Sequence, residues 1–96
     1  MVRKVPTLIQ FHKPLDIPDK RVFIPEMHTV GFLMQTIRSK WLSTISSNTS
    51  LFLFFYNPIE DTSLLQPVTN TLAEIEKHMG YPQHLTIIVQ QENTFG

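Results

Sequence analysis

From Val5 to Phe11, the residues Val5, Thr7, Ile9 and Phe11 alternate with Pro6, Leu8 and Gln10. Period two with β-branched content is the signature of a strand. Pro6 cannot donate to a ladder, so it belongs at the strand's beginning or on a free edge. Pro14 and Pro18 mark His12 to Pro18 as a turn region. Arg21 to Ile24 then reads as a second short strand stopped by Pro25, and the close spacing predicts an antiparallel hairpin. Next the period lengthens. Val30, Leu33, Met34, Ile37 and Trp41 recur on one helical face behind Thr29, a suitable N-cap. Arg38 and Lys40 fall in the closing turns, where cations complement the helix dipole. Ser43 to Ser50 is almost entirely Ser, Thr and Asn, which favour turns through local hydrogen bonds. Leu51 to Tyr56 has no polar interruption and fits a strand buried on both faces, ended by Asn57-Pro58. A loop is expected through Asp61-Thr62-Ser63, with Pro67 near its end. Thr71 and Glu74 have capping-box spacing. They open a short helix with Leu72, Ile75 and Met79 on one face, closed by Gly80 near the C′ position. Leu85 to Val89 gives the last strand.

The order strand, strand, long helix, strand, short helix, strand predicts an α+β chain of the ubiquitin-like β-grasp arrangement. There the first and last strands pair in parallel at the sheet centre and the tail exits freely. Ninety-six residues make a single domain, 1–96, with 91–96 a flexible tail. That tail ends on Gly96. Glycine has no Cβ and can thread a narrow channel, which suits a carboxylate destined for activation and transfer. A frayed end that happens to finish on glycine is the plainer alternative.

Composition narrows the function classes. Eight basic and eight acidic residues cancel, so no overall field draws the chain to nucleic acid or anionic lipid. Without cysteine there is no disulfide framework, thiolate nucleophile or cysteine metal site. His12, His28, His78 and His84 lack metal-ligand spacing, and three scattered glycines build no phosphate loop. No enzyme activity and no cofactor are expected. The N-terminus has no apolar run of the secretory kind, and Asn48-Thr49-Ser50 is then a chance match to a glycosylation acceptor. The six-residue run Leu51 to Tyr56 is far too short to span a membrane.

Several stretches, in order and spacing, resemble the ubiquitin-like autophagy modifiers of the GABARAP type, which become joined to phosphatidylethanolamine. They are Val5-Pro6 with its strand, Asp16-Ile17-Pro18, and Asp19-Lys20-Arg21 leading to Phe23-Ile24-Pro25. Thr29-Val30-Gly31 with Ile37-Arg38, Leu51 to Asn57, and Glu92-Asn93-Thr94-Phe95-Gly96 complete the set. The resemblance implies that Gly96 is adenylated by an E1-like enzyme, passed as a thioester to an E2-like enzyme and joined to the lipid amine. A cysteine protease would process or deconjugate it. Gly96 closes the sequence, as in a mature form or a member needing no cleavage. Localisation would be cytoplasmic, and on autophagosomal membranes when lipidated.

The resemblance also implies an adaptor role for aromatic-x-x-aliphatic peptides added to the hairpin edge. Pro6, Leu8, Arg21, Phe23 and His84 align with the pocket for the aromatic anchor. Val22, Ile24, Pro25, Leu33 and Thr36, with His28 at the rim, align with the aliphatic pocket. Arg38 and Lys40 would meet flanking acidic residues. Met34 and Trp41 read as core, and Pro6, Leu8 and Phe23 have a second reading as an outer core face. Departures from the family are the absence of two helices before the Val-Pro strand, a shorter hairpin, a longer Ser43 to Ser50 loop, and His28 and Thr36 at usually aliphatic positions. The alternatives are the sister autophagy modifier joined to a protein lysine and an unconjugated protein-binding domain.

Overall fold

The computed structural model describes residues 3–46 and 48–92. The chain forms β1 (Lys4–Phe11), β2 (Lys20–Pro25), α1 (Val30–Trp41), β3 (Leu51–Asn57), β4 (Thr62–Leu65), α2 (Leu72–His78) and β5 (Leu85–Gln91). One mixed sheet has the order β2-β1-β5-β3-β4. β1 and β5 run parallel at its centre, and the other neighbouring pairs are antiparallel. The parallel central pair is the arrangement anticipated from the element order.

Alternation decides which face is core. Val5, Thr7 and Ile9, then Leu51, Leu53 and Phe55, then Leu85, Ile87 and Val89 are all buried. Their alternates, such as Leu8, Phe54 and Ile88, are half-buried on the other face. α1 contributes Val30, Leu33 and Ile37 to the same core, and α2 contributes Leu72 and Ile75. Two expectations need correction here. Leu51 to Tyr56 is not buried on both faces, because both helices lie on one side of the sheet and Phe52, Phe54 and Tyr56 face the other. The loop expected through Asp61-Thr62-Ser63, with Pro67 near its end, contains β4, whose four residues are all exposed. An edge strand with no buried face shows no period-two apolar signal, so sequence pattern misses it.

Local chemistry ends the helices where anticipated. The Thr29 hydroxyl accepts from the Phe32 N–H at 3.1 Å. At α2, Thr71 and Glu74 form the reciprocal capping box. Gly80 follows the C-cap residue Met79 with φ of +74°, a left-handed value that glycine adopts without a Cβ penalty. The Thr71 backbone N–H, and after it the Thr71 hydroxyl, hold the Glu74 carboxyl below its ordinary value of 4.5. A depressed folded value contributes stability above the unfolded pKa and loses it as pH falls through the folded one. Acidification from 5 to 3 is therefore expected to loosen α2 first, with faster amide exchange there. Glu74→Gln should flatten that acid-side response; a variant with the same pH profile would remove this box from the cause.

A second polar device ties the start of β1 to α2. Arg3 donates from both Nη atoms to Glu76, at 2.7 and 2.8 Å, and from Nη1 to Glu26 at 2.9 Å. Glu76 is 2% exposed, so this pairing neutralises a carboxylate inside the fold. The Glu26 N–H also donates to the Arg3 carbonyl, and the Ala73 N–H donates to the Glu26 carbonyl. The loop from Glu26 to Thr29 is thus held on both sides, which fixes how α1 leaves β2.

Candidate peptide-docking groove

β2 is an edge of the sheet, and α1 runs back alongside it after that short, pinned loop. The two elements leave a cavity of about 150 Å³ between them. Val22, Phe23, Ile24 and Pro25 form its strand side, and Leu33, Thr36 and Lys40 its helix side, with His28 at the turn. Every residue assigned to the aliphatic pocket by resemblance is among them. The floor is apolar: Ile24 and Leu33 are buried, and Ile9 and Ile37 lie beneath. His28 packs edge-on against Phe32, with ring centroids 4.6 Å apart. The Thr36 hydroxyl donates to the Phe32 carbonyl at 3.0 Å. Its polarity is satisfied within the helix, so the wall is less polar than the residue type suggests.

The set assigned to the aromatic anchor is placed differently. Pro6 opposes Phe23 and Leu8 opposes Arg21 across β1 and β2, and strand alternation turns them to the sheet face away from α1, although Phe23 also borders the groove. Phe23 is 69% exposed. His84 precedes Leu85, whose parallel partner is Thr7, and so enters at the Pro6 end of the sheet. It lines a separate cavity of about 290 Å³ with Tyr56, Ile59 and Pro82. The Tyr56 hydroxyl donates to Asp61 Oδ1 at 2.6 Å, which raises the phenol above its usual range. On the same outer face, Phe54 and Ile88 floor an open depression of about 590 Å³ rimmed by Gln10, His12 and Gln90.

The two basic positions separate. Arg38 donates to the carbonyls of Thr49 at 2.6 Å and Ser46 at 3.3 Å, so it fastens the long polar loop and does not line the groove. Lys40 does line it. Trp41, read as core from its spacing, is half-buried and closes the groove's far end. The ammonium groups of Lys20 and Lys40 lie 5.9 and 5.4 Å from its ring centroid. Lys20 was not among the residues assigned from sequence. Its turn-adjacent position carries no periodic signal, and only the run of β2 past α1 brings it to Trp41.

Asn93 to Gly96, including the expected conjugation residue, lie outside the described residues. The last described residue, Glu92, donates its backbone N–H to the Ser50 carbonyl at 2.9 Å just beyond β5. Among the described residues no cluster of three or more His, Asp or Glu side chains could hold a metal. No family model matches the sequence, and no curated protein matches it either. Solved structures do. A Trypanosoma brucei ATG8 is similar with a TM-score of 0.65 and 23% identity, over 97% of this chain and 77% of that one. A Caldiarchaeum subterraneum ubiquitin is similar with a TM-score of 0.64 and 12% identity, over 97% of this chain and 99% of that one. The fold is a ubiquitin-like β-grasp.

Proposed function

We propose that this chain is a ubiquitin-like modifier of autophagy, conjugated through Gly96 to phosphatidylethanolamine and serving as an adaptor for short peptide motifs. The observation that carries the reading is the β2–α1 groove beside an open sheet edge, in a fold similar to an ATG8. The Glu92-Asn93-Thr94-Phe95-Gly96 tail following β5 supports it further. In this reading an E1-like enzyme joins the Gly96 carboxylate to AMP with loss of pyrophosphate. A thiol of that enzyme displaces AMP, an E2-like enzyme takes over the acyl group by thioester exchange, and the lipid amine displaces the thiol to form the amide. The chain is substrate throughout and not catalyst. A cysteine protease would reverse the step by hydrolysis.

No helix among the described residues is long and apolar enough to cross a membrane. In this reading the two acyl chains of the attached lipid supply the membrane anchor of a charge-neutral domain, cytoplasmic until lipidated. Incubation with cognate E1-like and E2-like enzymes, ATP and phosphatidylethanolamine vesicles is expected to give a thioester and then a vesicle-bound product. Deleting Gly96 should abolish both. A wild-type chain that forms no thioester would sink the modifier reading. A thioester that transfers to a protein lysine and never to lipid would replace the lipid modifier by its protein-linked sister.

A further inference from the structure

The two faces of the β2 edge are unequally built. On the α1 side a cavity runs from Pro25 and His28 to Lys40 and Trp41. On the other side Pro6, Leu8 and Phe23 lie along an outer sheet face that neither helix covers. Within the groove, the His28 end has an aliphatic floor of Ile24 and Leu33. The Trp41 end has two ammonium groups beside an indole face. Among the described residues every ion pair involves Arg3, so neither Lys20 nor Lys40 is paired with a carboxylate. An aliphatic end and a cationic end therefore share one face of one edge strand.

We propose that this groove reads its partner alone, as an extended acidic segment whose aliphatic and carboxylate side chains both enter on the α1 side, at even spacing. The inference rests on the reading of β2 as a docking edge. Successive side chains of a strand point to opposite faces, so two anchors entering the same groove are an even number of residues apart. Lys20 and Ile24 are four residues apart, roughly 13 Å of strand. Leu33 and Trp41 are eight helical residues apart, about 12 Å. An aliphatic side chain over Ile24 and Leu33 and a Glu or Asp at Lys20 and Lys40 thus fit a separation of four. Aromatic-x-x-aliphatic peptides have an odd separation, which sends one anchor to the open Pro6, Leu8 and Phe23 surface. Hydrogen bonds to the free edge of β2 would hold the segment's backbone without reading its sequence. Selectivity then comes from the groove. The chain has no net charge, so the local cations favour an acidic segment without an overall field that would gather polyanions.

Trp41 is the one tryptophan of the chain, and its emission reports directly on the cationic end. The experiment titrates the full chain with end-capped peptides of Ala and Thr carrying one Leu and one Glu. The Glu stands three or four residues from the Leu, on either side, and an aromatic-x-x-aliphatic peptide is run in parallel. One four-residue spacing is expected to bind about tenfold tighter than the three-residue peptides, a difference of about 1.4 kcal/mol. It should also change Trp41 emission and shift the amide resonances of Val22 to Ile24. Lys20→Ala with Lys40→Ala should erase that advantage, as should high salt. Lys77→Ala, on α2, should leave it intact. Equal binding at both spacings, or tighter binding of the aromatic-x-x-aliphatic peptide, overturns the even-spacing inference and leaves β2 as a docking edge. A series in which no peptide moves Val22 to Ile24 or Trp41 overturns the docking reading as well.

Discussion

Phe55→Ala is expected to cost about 3–5 kcal/mol, whereas Phe54→Ala, one residue earlier in the same strand, should cost well under half of that. Phe55 is fully buried, pairs with Ile87 of β5 and Leu64 of β4, and belongs to the cluster that both helices close. Truncation there leaves a void among side chains anchored on four strands and two helices. Phe54 faces away from the helices, tilted against Phe52 with ring centroids 6.5 Å apart, and is only half-buried. Its removal exposes part of a neighbouring ring but opens no cavity. A domain of this size has a total stability on the order of 5–14 kcal/mol. The Phe55 variant is therefore expected to sit close to its unfolding transition at 37 °C. Urea denaturation checks this: the Phe55 midpoint should fall far more than the Phe54 midpoint, with unchanged slope. Equal losses would mean that the two faces of β3 are not core and surface as described.

That contrast also marks where sequence reading stops. The signals that repeat within a few residues carried through to the structure: the alternation of β1 and β5, the Thr29 cap, the Thr71–Glu74 box and the left-handed Gly80. Each depends on chemistry within one turn or one strand. An unbroken run such as Leu51 to Tyr56 has no period, so its faces are set only by where the helices pack. β4 has no buried residue and so leaves no trace in the apolar pattern.

The candidate site divides along the same line. The aliphatic set around Ile24, Leu33 and Thr36 lies on two regular elements joined by a short loop, and the structure gathers it into one cavity. Arg38 reads as an exposed helical cation from sequence, but its role depends on a loop 8–11 residues away folding back to offer carbonyls. Trp41 and Lys20 meet only because β2 and α1 run past each other, a juxtaposition that no local pattern encodes. On the outer face Pro6 and Leu8 are half-buried and Phe23 is exposed, with neither helix packed over them.

The second large effect concerns the one buried charge among the described residues. Arg3→Ala is expected to lower the melting temperature by on the order of 10 °C, although Arg3 itself is half-exposed. The penalty belongs to Glu76, left with a carboxylate 2% exposed and without the two guanidinium hydrogen bonds that now compensate its desolvation. The Tyr81 N–H does not replace them, because it donates to the Glu76 backbone carbonyl and not to its side chain. Removing both partners should cost less than removing one. In the double variant Arg3→Ala with Glu76→Met, no charge is buried and the methionine keeps most of the packing volume. The double variant is therefore expected to melt above Arg3→Ala alone. Calorimetry on the two variants and on Glu76→Met decides it. If the two substitutions simply add, the Arg3–Glu76 pair does not govern the docking of α2 against the start of β1. If the double variant recovers, the pair is a buried charge held by its partner, and the loop that sets the groove's entrance is fixed through Glu26 by the same arginine.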